Sequence, residues 1–166
     1  MQSEKKYILD KAQVERKIRR LAFELAERNF REKEVYFVAI KDNGVSLAKK
    51  LQQHLAGISN VLIHILELSL DKKTPKEILL SSMPPKVDAV IILIDDVASS
   101  GKTMLYSLKP FLEMQPKKIE TLVLVERTHK TFPVKVDYVG LSVATTLQEH
   151  IYVEVTEGEI TGAYMD

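Results

Sequence analysis

The stretch from Val90 to Thr103, which reads VIILIDDVASSGKT, constrains the fold of this chain more than any other. It opens on five large apolar residues, too few to cross a membrane and too rich in β-branched side chains to favour a helix. We therefore predict a strand that is buried on both faces, as in a parallel sheet. The strand is expected to end at Asp95 and Asp96, and a helix is expected to begin near Lys102 or Thr103.

Between the predicted strand and the predicted helix lies a loop of small residues that is suited to phosphate. Ala98, Ser99, Ser100 and Gly101 allow the backbone to turn tightly and to approach a ligand. The N–H groups of such a loop and of the first helical turn point at one spot, where the helix dipole adds partial positive charge. This order of strand, acidic pair, loop and helix predicts a phosphate cradle with two carboxylates beside it.

A sugar phosphate is the ligand that this cradle predicts. Its hydroxyls would donate to Asp95 and Asp96, and its phosphate would occupy the loop. An ATP-binding P-loop fits poorly, because that motif needs a glycine where this chain has Asp96. The alternative for the two carboxylates is that they only cap the turn and the helix that follow.

The length and the composition limit the other possibilities. The 166 residues fit a single domain, and nothing in the sequence requires a second core. Hydrophobic residues make up 45% and charged residues 28%, and no segment is long and apolar enough to span a membrane. The N-terminal segment is charged and lacks the apolar stretch of a secretion signal, and the absence of cysteine excludes disulfides and thiolate-bound zinc, so we expect a cytoplasmic protein. The net charge of +1 does not by itself indicate a nucleic-acid partner.

Strands and helices alternate along the rest of the chain, which predicts an α/β fold with a mostly parallel twisted sheet flanked by helices. A helix is expected from an N-cap at Asp10 to about Asn29, because its apolar residues recur at helical spacing. Residues 71–86 lack clear periodicity and predict a long loop, of the kind that is often functional. The other predicted elements are strands at Glu34–Ile40, Asn60–Leu70, Lys118–Val125, Val136–Val143 and Ile151–Val155, and helices at about Val45–His54 and Met104–Met114, the latter interrupted near Pro110.

In a sheet of this kind the ligand lies beyond the carboxyl ends of the strands. Polar residues are predicted at three strand ends, at Lys41–Gly44, Asp95–Thr103 and Arg127–Lys130. We expect these ends to converge on one site. For Arg127, a contact with substrate and a surface ion pair are equally good interpretations.

The motif VIILIDDVASSGKT resembles the phosphoribosyl-diphosphate-binding signature of type I phosphoribosyltransferases, which consists of an apolar strand, two acidic residues, small residues and then Ser/Thr-Gly-Lys/Arg-Thr. The resemblance extends over nearly the whole chain. Within that family, the chain is most similar to the pyrimidine operon attenuators with uracil phosphoribosyltransferase activity. The segments that carry this likeness are ILDKAQVERKIRRLAFELAERN, VAIKDNGVSLAKKL, VLVERTHKTFPVKVDYVG and VATTLQEHIYVEV.

A fold and an activity follow from the resemblance. It implies the type I phosphoribosyltransferase fold, with a core at about residues 8–142 and a small C-terminal hood at about residues 143–166 of one domain spanning 1–166. It also implies transfer of 5-phosphoribose from phosphoribosyl diphosphate to a nitrogenous base, with a pyrimidine such as uracil favoured over a purine, and release of pyrophosphate. Mg²⁺ is the cofactor that it implies, and a homodimer is the expected assembly.

Roles for individual residues follow from the same resemblance. Asp95 and Asp96 would accept hydrogen bonds from the ribose hydroxyls, directly or around Mg²⁺, and their charge would favour the oxocarbenium-like transition state. If both face solvent at a strand end, replacing them with Asn should abolish turnover with little loss of stability. Residues 71–86 would match the loop that closes over the site and excludes water. The remaining assignments are the 5-phosphate at Ala98, Ser99, Ser100, Gly101, Lys102 and Thr103, pyrophosphate at Lys41, Asp42, Asn43 and Gly44, the base at Val143, Ala144 and Thr145, and a further substrate contact at Arg127.

The chain departs from the attenuator pattern in the pyrophosphate loop. Asp42 and Asn43 stand where the family usually has Thr-Arg, which removes a cation and adds a carboxylate. Catalysis would then need compensation by Lys41 or by the lysines of residues 71–86. In the hood, Leu147 and His150 replace residues that are commonly lysine in that family.

An alternative function is that of a nucleotide-sensing regulatory protein that binds RNA, with weak or no catalysis. One continuous concave basic surface on the first helix would favour RNA binding, whereas pairing of its cations with nearby glutamates would favour an enzyme alone. The cations on that face are Arg16, Lys17, Arg19 and Arg20, and the glutamates are Glu15 and Glu24.

Overall fold

A computed structural model describes residues 4–166 of the chain. Nine strands and three α-helices occur in this part of the chain, together with one 3₁₀ turn. In chain order they are β1 (Lys6–Leu9), α1 (Lys11–Arg28), β2 (Glu34–Ile40), α2 (Asn43–Ala56), β3 (Leu62–Leu70), β4 (Ile78–Leu80), β5 (Val90–Ala98), α3 (Lys102–Ser107), the 3₁₀ turn (Lys109–Phe111), β6 (Lys118–Arg127), β7 (Tyr138–Val143), β8 (Ile151–Thr156) and β9 (Glu159–Met165).

The strands form two sheets. Six strands lie in the order β4-β3-β2-β5-β6-β7, and every neighbouring pair is parallel except β3 and β4. The predicted α/β fold with a mostly parallel sheet is therefore confirmed. A second, three-stranded sheet has the order β1-β9-β8 and is antiparallel. The division into a core at about 8–142 and a hood at about 143–166 stays a prediction, and β1 joins β8 and β9, which lie within residues 143–166.

Helices cover both faces of the large sheet, as predicted. Residues of α1 and α2 share one apolar cluster with Phe37 of β2 and with Ile92 and Ile94 of β5. On the opposite face, Ile91 and Leu93 share a second cluster with α3 and the 3₁₀ turn. Alternate residues of β5 thus face two different cores, which explains why its first five residues are all apolar.

The first helix follows its predicted bounds because its N-terminus is capped. The Asp10 carboxylate accepts a hydrogen bond from the Gln13 N–H at 2.8 Å, and the Gln13 amide oxygen accepts one from the Asp10 N–H at 2.8 Å. This reciprocal capping box satisfies two N–H groups that the first helical turn would otherwise leave unpaired. Val14, Ile18, Leu21 and Leu25 are buried against the sheet.

Strand β5 is longer than predicted, and this difference moves the acidic pair. Parallel pairing with β6 continues from Val90 to Ala98, so Asp95 and Asp96 lie within the strand and not beyond its end. Strand β6 extends to Arg127, two residues past its predicted end, because Glu126 pairs with Ala98 of β5 and Arg127 pairs with Val143 of β7. Helix α2 begins at Asn43, earlier than predicted, with Asp42 as its N-cap.

Four further elements differ from the sequence prediction. The segment 71–86 is not loop throughout, because Ile78–Leu80 forms β4 and pairs antiparallel with the end of β3. The predicted helix at Met104–Met114 ends at Ser107, and a 3₁₀ turn that contains Pro110 follows it. Strands β1 and β9 were not predicted, and they pair with each other from opposite ends of the chain. Between residues 4 and 166, no helix combines the length and the apolar character that a membrane span needs.

Candidate active site

A cavity of about 280 Å³ lies at the carboxyl end of β5. It brings together the predicted acidic pair, the predicted phosphate loop and Asn43 of α2, and it adds Lys72 and one edge of the second sheet. The residues that line it are Asn43, Lys72, Asp95, Asp96, Val97, Ala98, Ser99, Ser100, Gly101, Lys102, Thr103, Met104, Ile151, Tyr152 and Val153.

Asp95 is a buried carboxylate on the floor of the cavity, with 2% of its surface exposed. Its Oδ1 accepts a hydrogen bond from the Asp96 N–H at 2.9 Å, and its Oδ2 lies 3.6 Å from the Lys72 ammonium nitrogen. Burial raises the pKa of Asp95 well above its ordinary value, the nearby Asp96 charge raises it further, and Lys72 opposes both. The expectation that this pair faces solvent is wrong, because the extended pairing of β5 keeps both inside the fold, with Asp95 2% and Asp96 8% exposed.

Asp96 is held by donors from two elements. Its Oδ1 accepts from the Val97 N–H at 2.9 Å and its Oδ2 accepts from the Asn43 side-chain amide at 2.9 Å. Asn43 also donates to the Val153 carbonyl at 3.2 Å. One amide therefore links α2, β5 and β8, and it fixes the orientation of the Asp96 carboxylate with neutral donors.

Gly44 allows α2 to begin directly against β5. A Cβ atom at this position would lie 2.8 Å from the Ile94 carbonyl oxygen and 3.4 Å from the Asp95 Cα, and both of these are backbone atoms. Only glycine fits without a shift of the helix or the strand. The contact explains how the predicted pyrophosphate segment is brought beside the acidic pair.

The loop at residues 98–101 is braced from behind by the chain that follows β6. The Ser100 carbonyl accepts from the N–H groups of Thr131 and Phe132 at 3.0 and 2.9 Å, and the Lys102 N–H donates to the Ser100 hydroxyl at 3.2 Å. Gly101 has a φ of +84°, a conformation that glycine adopts without strain. The loop is thus fixed before any ligand enters.

The three predicted strand ends take different positions around the cavity. The end of β5 forms the floor of the cavity. From the segment that follows β2, Asn43 lines the cavity. The segment after β6 supports the loop without lining the cavity. Lys41 lies outside the lining, where its ammonium is 3.4 Å from Glu67 Oε2, and Asp42 is exposed at the N-cap of α2. Of the four residues predicted for pyrophosphate, only Asn43 lines the cavity.

The residues predicted for the base and Arg127 lie away from the cavity lining. Arg127 Nη2 donates to the Glu149 carbonyl at 2.7 Å, and the Val143 carbonyl accepts from the Thr128 N–H at 2.9 Å. Within residues 4–166, Arg127 Nε and the Thr145 hydroxyl are buried without a hydrogen-bond partner. The geometry gives Arg127 a structural contact with the loop between β7 and β8, and the substrate roles of Val143, Ala144, Thr145 and Arg127 stay predictions.

Sequence reasoning named the lysines of residues 71–86 as a source of compensating charge without distinguishing Lys72 among them, and it gave residues 151–153 no part in the site. Lys72 comes from the segment after β3, and the Lys102 ammonium reaches the neighbouring Lys73 carbonyl at 3.3 Å. In the sequence, the cluster of lysines in that segment was the only local indication that Lys72 belongs to the site. The position of β8 depends on pairing with distant strands, so no local pattern places it at the cavity.

The donor set fits a magnesium ion that arrives with a substrate. Mg²⁺ prefers oxygen ligands and is usually bound through one or two carboxylates together with substrate phosphates. The cavity offers the carboxylates of Asp95 and Asp96, and residues 4–166 contain no cluster of three or more histidine or acidic side chains that could enclose a metal. These residues therefore suit an ion shared with bound phosphate and hydroxyl oxygens.

The basic face of α1 is only partly neutralised. Arg20 pairs with Glu24 at 2.8 Å and donates to the carbonyls of Val139 and Gly140 at 3.0 and 2.8 Å. Glu15 turns away from this face and pairs with Lys50 and His54 at 3.6 and 2.9 Å. In the described part of the chain, Arg16, Lys17 and Arg19 form no ion pair, and Arg16 and Arg19 are exposed.

Comparison with known proteins by sequence agrees with the family resemblance of the motif at Val90–Thr103. The family model described as phosphoribosyl transferase domain matches residues 5–157. The Bifunctional protein PyrR of Streptococcus agalactiae is 34% identical over 160 residues, with 92% of this chain and 91% of the relative covered. The Bifunctional protein pyrR of Enterococcus faecalis is 30% identical over 163 residues, with the same coverage of 92% and 91%.

Solved structures share the fold at low sequence identity. The hypoxanthine phosphoribosyltransferase of Trypanosoma cruzi superposes with a TM-score of 0.74 at 14% identity, covering 84% of this chain and 82% of that chain. A hypoxanthine-guanine phosphoribosyltransferase from Bacillus anthracis gives a TM-score of 0.70 at 19% identity, covering 85% and 84%. At this level of sequence identity, the structural similarity shows a shared fold and nothing more.

Proposed function

The chain belongs to the phosphoribosyl transferase family, and from this premise we propose that it transfers 5-phosphoribose from phosphoribosyl diphosphate to a nitrogenous base and releases pyrophosphate. Membership rests on a family model that spans residues 5–157 and on relatives at 34% identity over 92% of the chain. The sequence-based identification of a type I phosphoribosyltransferase is thereby confirmed. A pyrimidine, with uracil foremost, is the base that we propose.

The observation that carries this function is the juxtaposition of two buried carboxylates with a preformed loop. In our proposal, the ribose hydroxyls donate to Asp95 and Asp96, and the 5-phosphate accepts from the backbone N–H groups and hydroxyls of residues 98–103. The donor is then fixed at both ends of its ribose. A fixed donor places its anomeric carbon near the mouth of the cavity, where an incoming base can reach it.

The carboxylates also act on the transition state. As the bond from the anomeric carbon to the diphosphate oxygen lengthens, positive charge develops on the ribosyl ring, and the nearby negative charge favours it. The Asn43 amide keeps Asp96 in place during this change. When bound, Mg²⁺ would neutralise the negative charge of the departing diphosphate. Asp95 and Asp96 would hold the ion together with the diphosphate, either directly or through the ribose hydroxyls.

Two further parts of the chain complete the proposal. Residues 71–76 stand over the cavity through Lys72 and Lys73, and we propose that they shield the donor from water. The base is proposed to meet the backbone of Val143, Ala144 and Thr145 in the hood, with Arg127 holding the loop that follows.

A direct assay tests this function. Protein is incubated with Mg²⁺, phosphoribosyl diphosphate and a panel of pyrimidine and purine bases, and nucleotide is separated by chromatography. We expect a nucleotide with uracil and less with purines. The function is contradicted if no base yields nucleotide while a known phosphoribosyltransferase works in parallel.

The assembly proposed for this enzyme is a homodimer in the cytoplasm. On the α3 side of the large sheet, Leu112 is 73% exposed and Tyr106 is 39% exposed. A contiguous apolar patch at this position would mark a protein interface. Sedimentation velocity of the wild-type protein and of Leu112→Lys tests this: the wild type should sediment as a dimer and the variant as a monomer.

A second candidate function is regulation through RNA, and the observation that favours it is the unpaired basic group on α1. Arg16 and Lys17 are available to phosphate, whereas Arg20 is engaged with Glu24 and β7. RNA binding should be measured at low salt, with and without nucleotide, because phosphate contacts are strongest there. Loss of binding in Arg16→Ala/Lys17→Ala would support this function, and no binding to the wild type would remove it.

A further inference from the structure

The charge balance of the cavity leaves the diphosphate with few cations. Among the described residues that line the cavity, the positively charged side chains are Lys72 and Lys102. Lys41, the one cation of the predicted pyrophosphate segment, is turned outward to Glu67. Asp42 and Asn43 supply a carboxylate and a neutral amide. A diphosphate at this mouth therefore needs a cation from elsewhere.

Lys72 is the cation best placed to bind the diphosphate. Its ammonium lies 3.6 Å from Asp95 Oδ2, while 49% of its side chain is exposed. The backbone beneath it is held by a turn, in which the N–H groups of Lys73 and Thr74 donate to Asp71 Oδ1 at 2.9 and 3.4 Å. The Lys102 ammonium adds a hydrogen bond to the Lys73 carbonyl. The turn is thus anchored on both sides, and the long side chain between the anchors can move.

Lys102 is less suited to the same task. Its ammonium is already bonded to the Lys73 carbonyl, and its backbone N–H belongs to the phosphate loop. Its position is at the 5-phosphate end of the cavity. We therefore assign it to holding the turn at residues 71–74 in place.

We propose that Lys72 is a catalytic residue that exchanges partners, from Asp95 in the free protein to the diphosphate in the donor complex. The proposal rests on the proposed function, because the ribose hydroxyls would occupy Asp95 and release the ammonium. A lysine carries three donors on a flexible stem, so it can follow the diphosphate as it departs. Lys72, in residues 71–76, would then supply the positive charge that Asp42 and Asn43 do not provide.

The step itself is a substitution at the anomeric carbon. The bond from this carbon to the diphosphate oxygen breaks, and its electron pair stays on that oxygen, where Lys72 stabilises it. The lone pair of the base nitrogen forms the new bond to carbon, and the proton of that nitrogen passes to solvent. The products are a nucleotide and pyrophosphate, so atoms and charge balance without a further reactant.

The test compares two lysines of the same segment. Lys72→Met removes the charge but keeps the stem, and Lys76→Met is the matched control, since Lys76 is exposed and does not line the cavity. Binding of inorganic pyrophosphate in the presence of Mg²⁺ is measured by calorimetry, and kcat and KM for the donor are measured with the preferred base. Thermal unfolding establishes that each variant is folded.

We expect Lys72→Met to weaken pyrophosphate binding and to lower kcat/KM for the donor, each by roughly ten- to a hundredfold, as for loss of a hydrogen bond to a charged group. Lys76→Met should change either quantity by less than about twofold, as for an exposed charge. Lys72→Arg should recover most of the loss.

Other outcomes separate this proposal from the function on which it rests. If the wild type forms nucleotide and Lys72→Met equals Lys76→Met in binding and turnover, the role of Lys72 is wrong and the function stands. If the wild type forms no nucleotide but Lys72→Met alone loses pyrophosphate, the function is wrong and the binding role stands. Wild-type protein that does not bind pyrophosphate would overturn the role of Lys72.

Discussion

The two ends of the cavity are built in different ways. At the 5-phosphate end, the loop of residues 98–101 follows a strand that is buried on both faces, and Thr131 and Phe132 brace it from behind. At the diphosphate end, Asn43 and Asp42 supply no positive charge, and the nearby cation comes from Lys72 on a separate segment. The difference suits a reaction in which the 5-phosphate stays bound while the diphosphate leaves, because a fixed loop can hold the first and a mobile side chain can accompany the second.

The comparison depends on Asp95 and Asp96, which stand between the two ends. We expect Asp95→Asn/Asp96→Asn to lower kcat/KM by roughly 10³-fold or more, since both ribose contacts and the charge beside the transition state are lost. Nucleotide formation under single-turnover conditions measures this. If the variant retained more than a tenth of the wild-type rate, Asp95 and Asp96 would have a structural role only. They would then not connect the 5-phosphate end of the cavity to its diphosphate end.

Gly44 tests how closely the diphosphate end must approach β5. Gly44→Ala places a Cβ atom 2.8 Å from the Ile94 carbonyl oxygen, and we expect a loss of about 2 kcal/mol in the free energy of unfolding, together with a fall in activity. Gly57→Ala is the matched control, because its Cβ would lie 3.6 Å from the nearest atom, the His54 carbonyl oxygen. Denaturant unfolding should show no loss for the control. Equal behaviour of the two variants would contradict the close approach.

Asn43 tests whether the amide that replaces a cation has a positioning role. Asn43→Ala removes the donors to Asp96 and to the Val153 carbonyl, and we expect kcat/KM to fall roughly tenfold, with a loss of about 1 kcal/mol in stability. Asn43→Asp would put a third carboxylate beside Asp96 and should be worse than alanine. An aspartate variant as active as the wild type would show that this amide does not orient Asp96.

The smallest expected effect concerns stability and pH. Burial and the Asp96 charge raise the pKa of Asp95 in the folded state above its value in the unfolded chain. The folded state therefore binds this proton more tightly, and stability falls as pH rises from the ordinary carboxyl range through the raised pKa. Asp95→Asn cannot ionise, so above that range we expect it to be more stable than the wild type by about 1 kcal/mol, a gain of the kind seen when an active-site charge is removed.

Thermal unfolding over a pH series measures this difference. The advantage of Asp95→Asn should shrink as the pH falls, because the wild-type carboxyl then becomes neutral as well. A variant that is less stable than the wild type at every pH would show that the Lys72 ion pair outweighs the cost of burying the carboxylate.

The features that sequence predicted well are local ones. The apolar run, the acidic pair and the small-residue loop of Val90–Thr103 are encoded within one segment, and the capping box of α1 spans only four residues. Strand ends were less well predicted, since the length of β5 depends on continued pairing with β6. The position of Asp95 inside the fold follows from that pairing and not from its neighbours in sequence.

The parts that were missed depend on contacts between distant segments. Lys72 reaches Asp95 only because β3 and β5 flank β2 in the sheet, and Val153 meets Asn43 only because β8 is placed by β9. Strand β1 has four residues, too few for a clear period, and its partner lies near the other end of the chain. Local periodicity carries no information on such pairings.

The pairing of β1 with β9 has a consequence for how the protein is made. Lys6 lies opposite Met165, so the small sheet needs both the first and the last strands of residues 4–166. During synthesis the large parallel sheet can assemble as its strands emerge, whereas β8, an edge strand that pairs with β9, cannot take its final place until β9 has left the ribosome and paired with β1. The lip of the cavity at residues 151–153 is therefore among the last parts to form, and a nascent chain would carry its phosphate loop before it has a complete site.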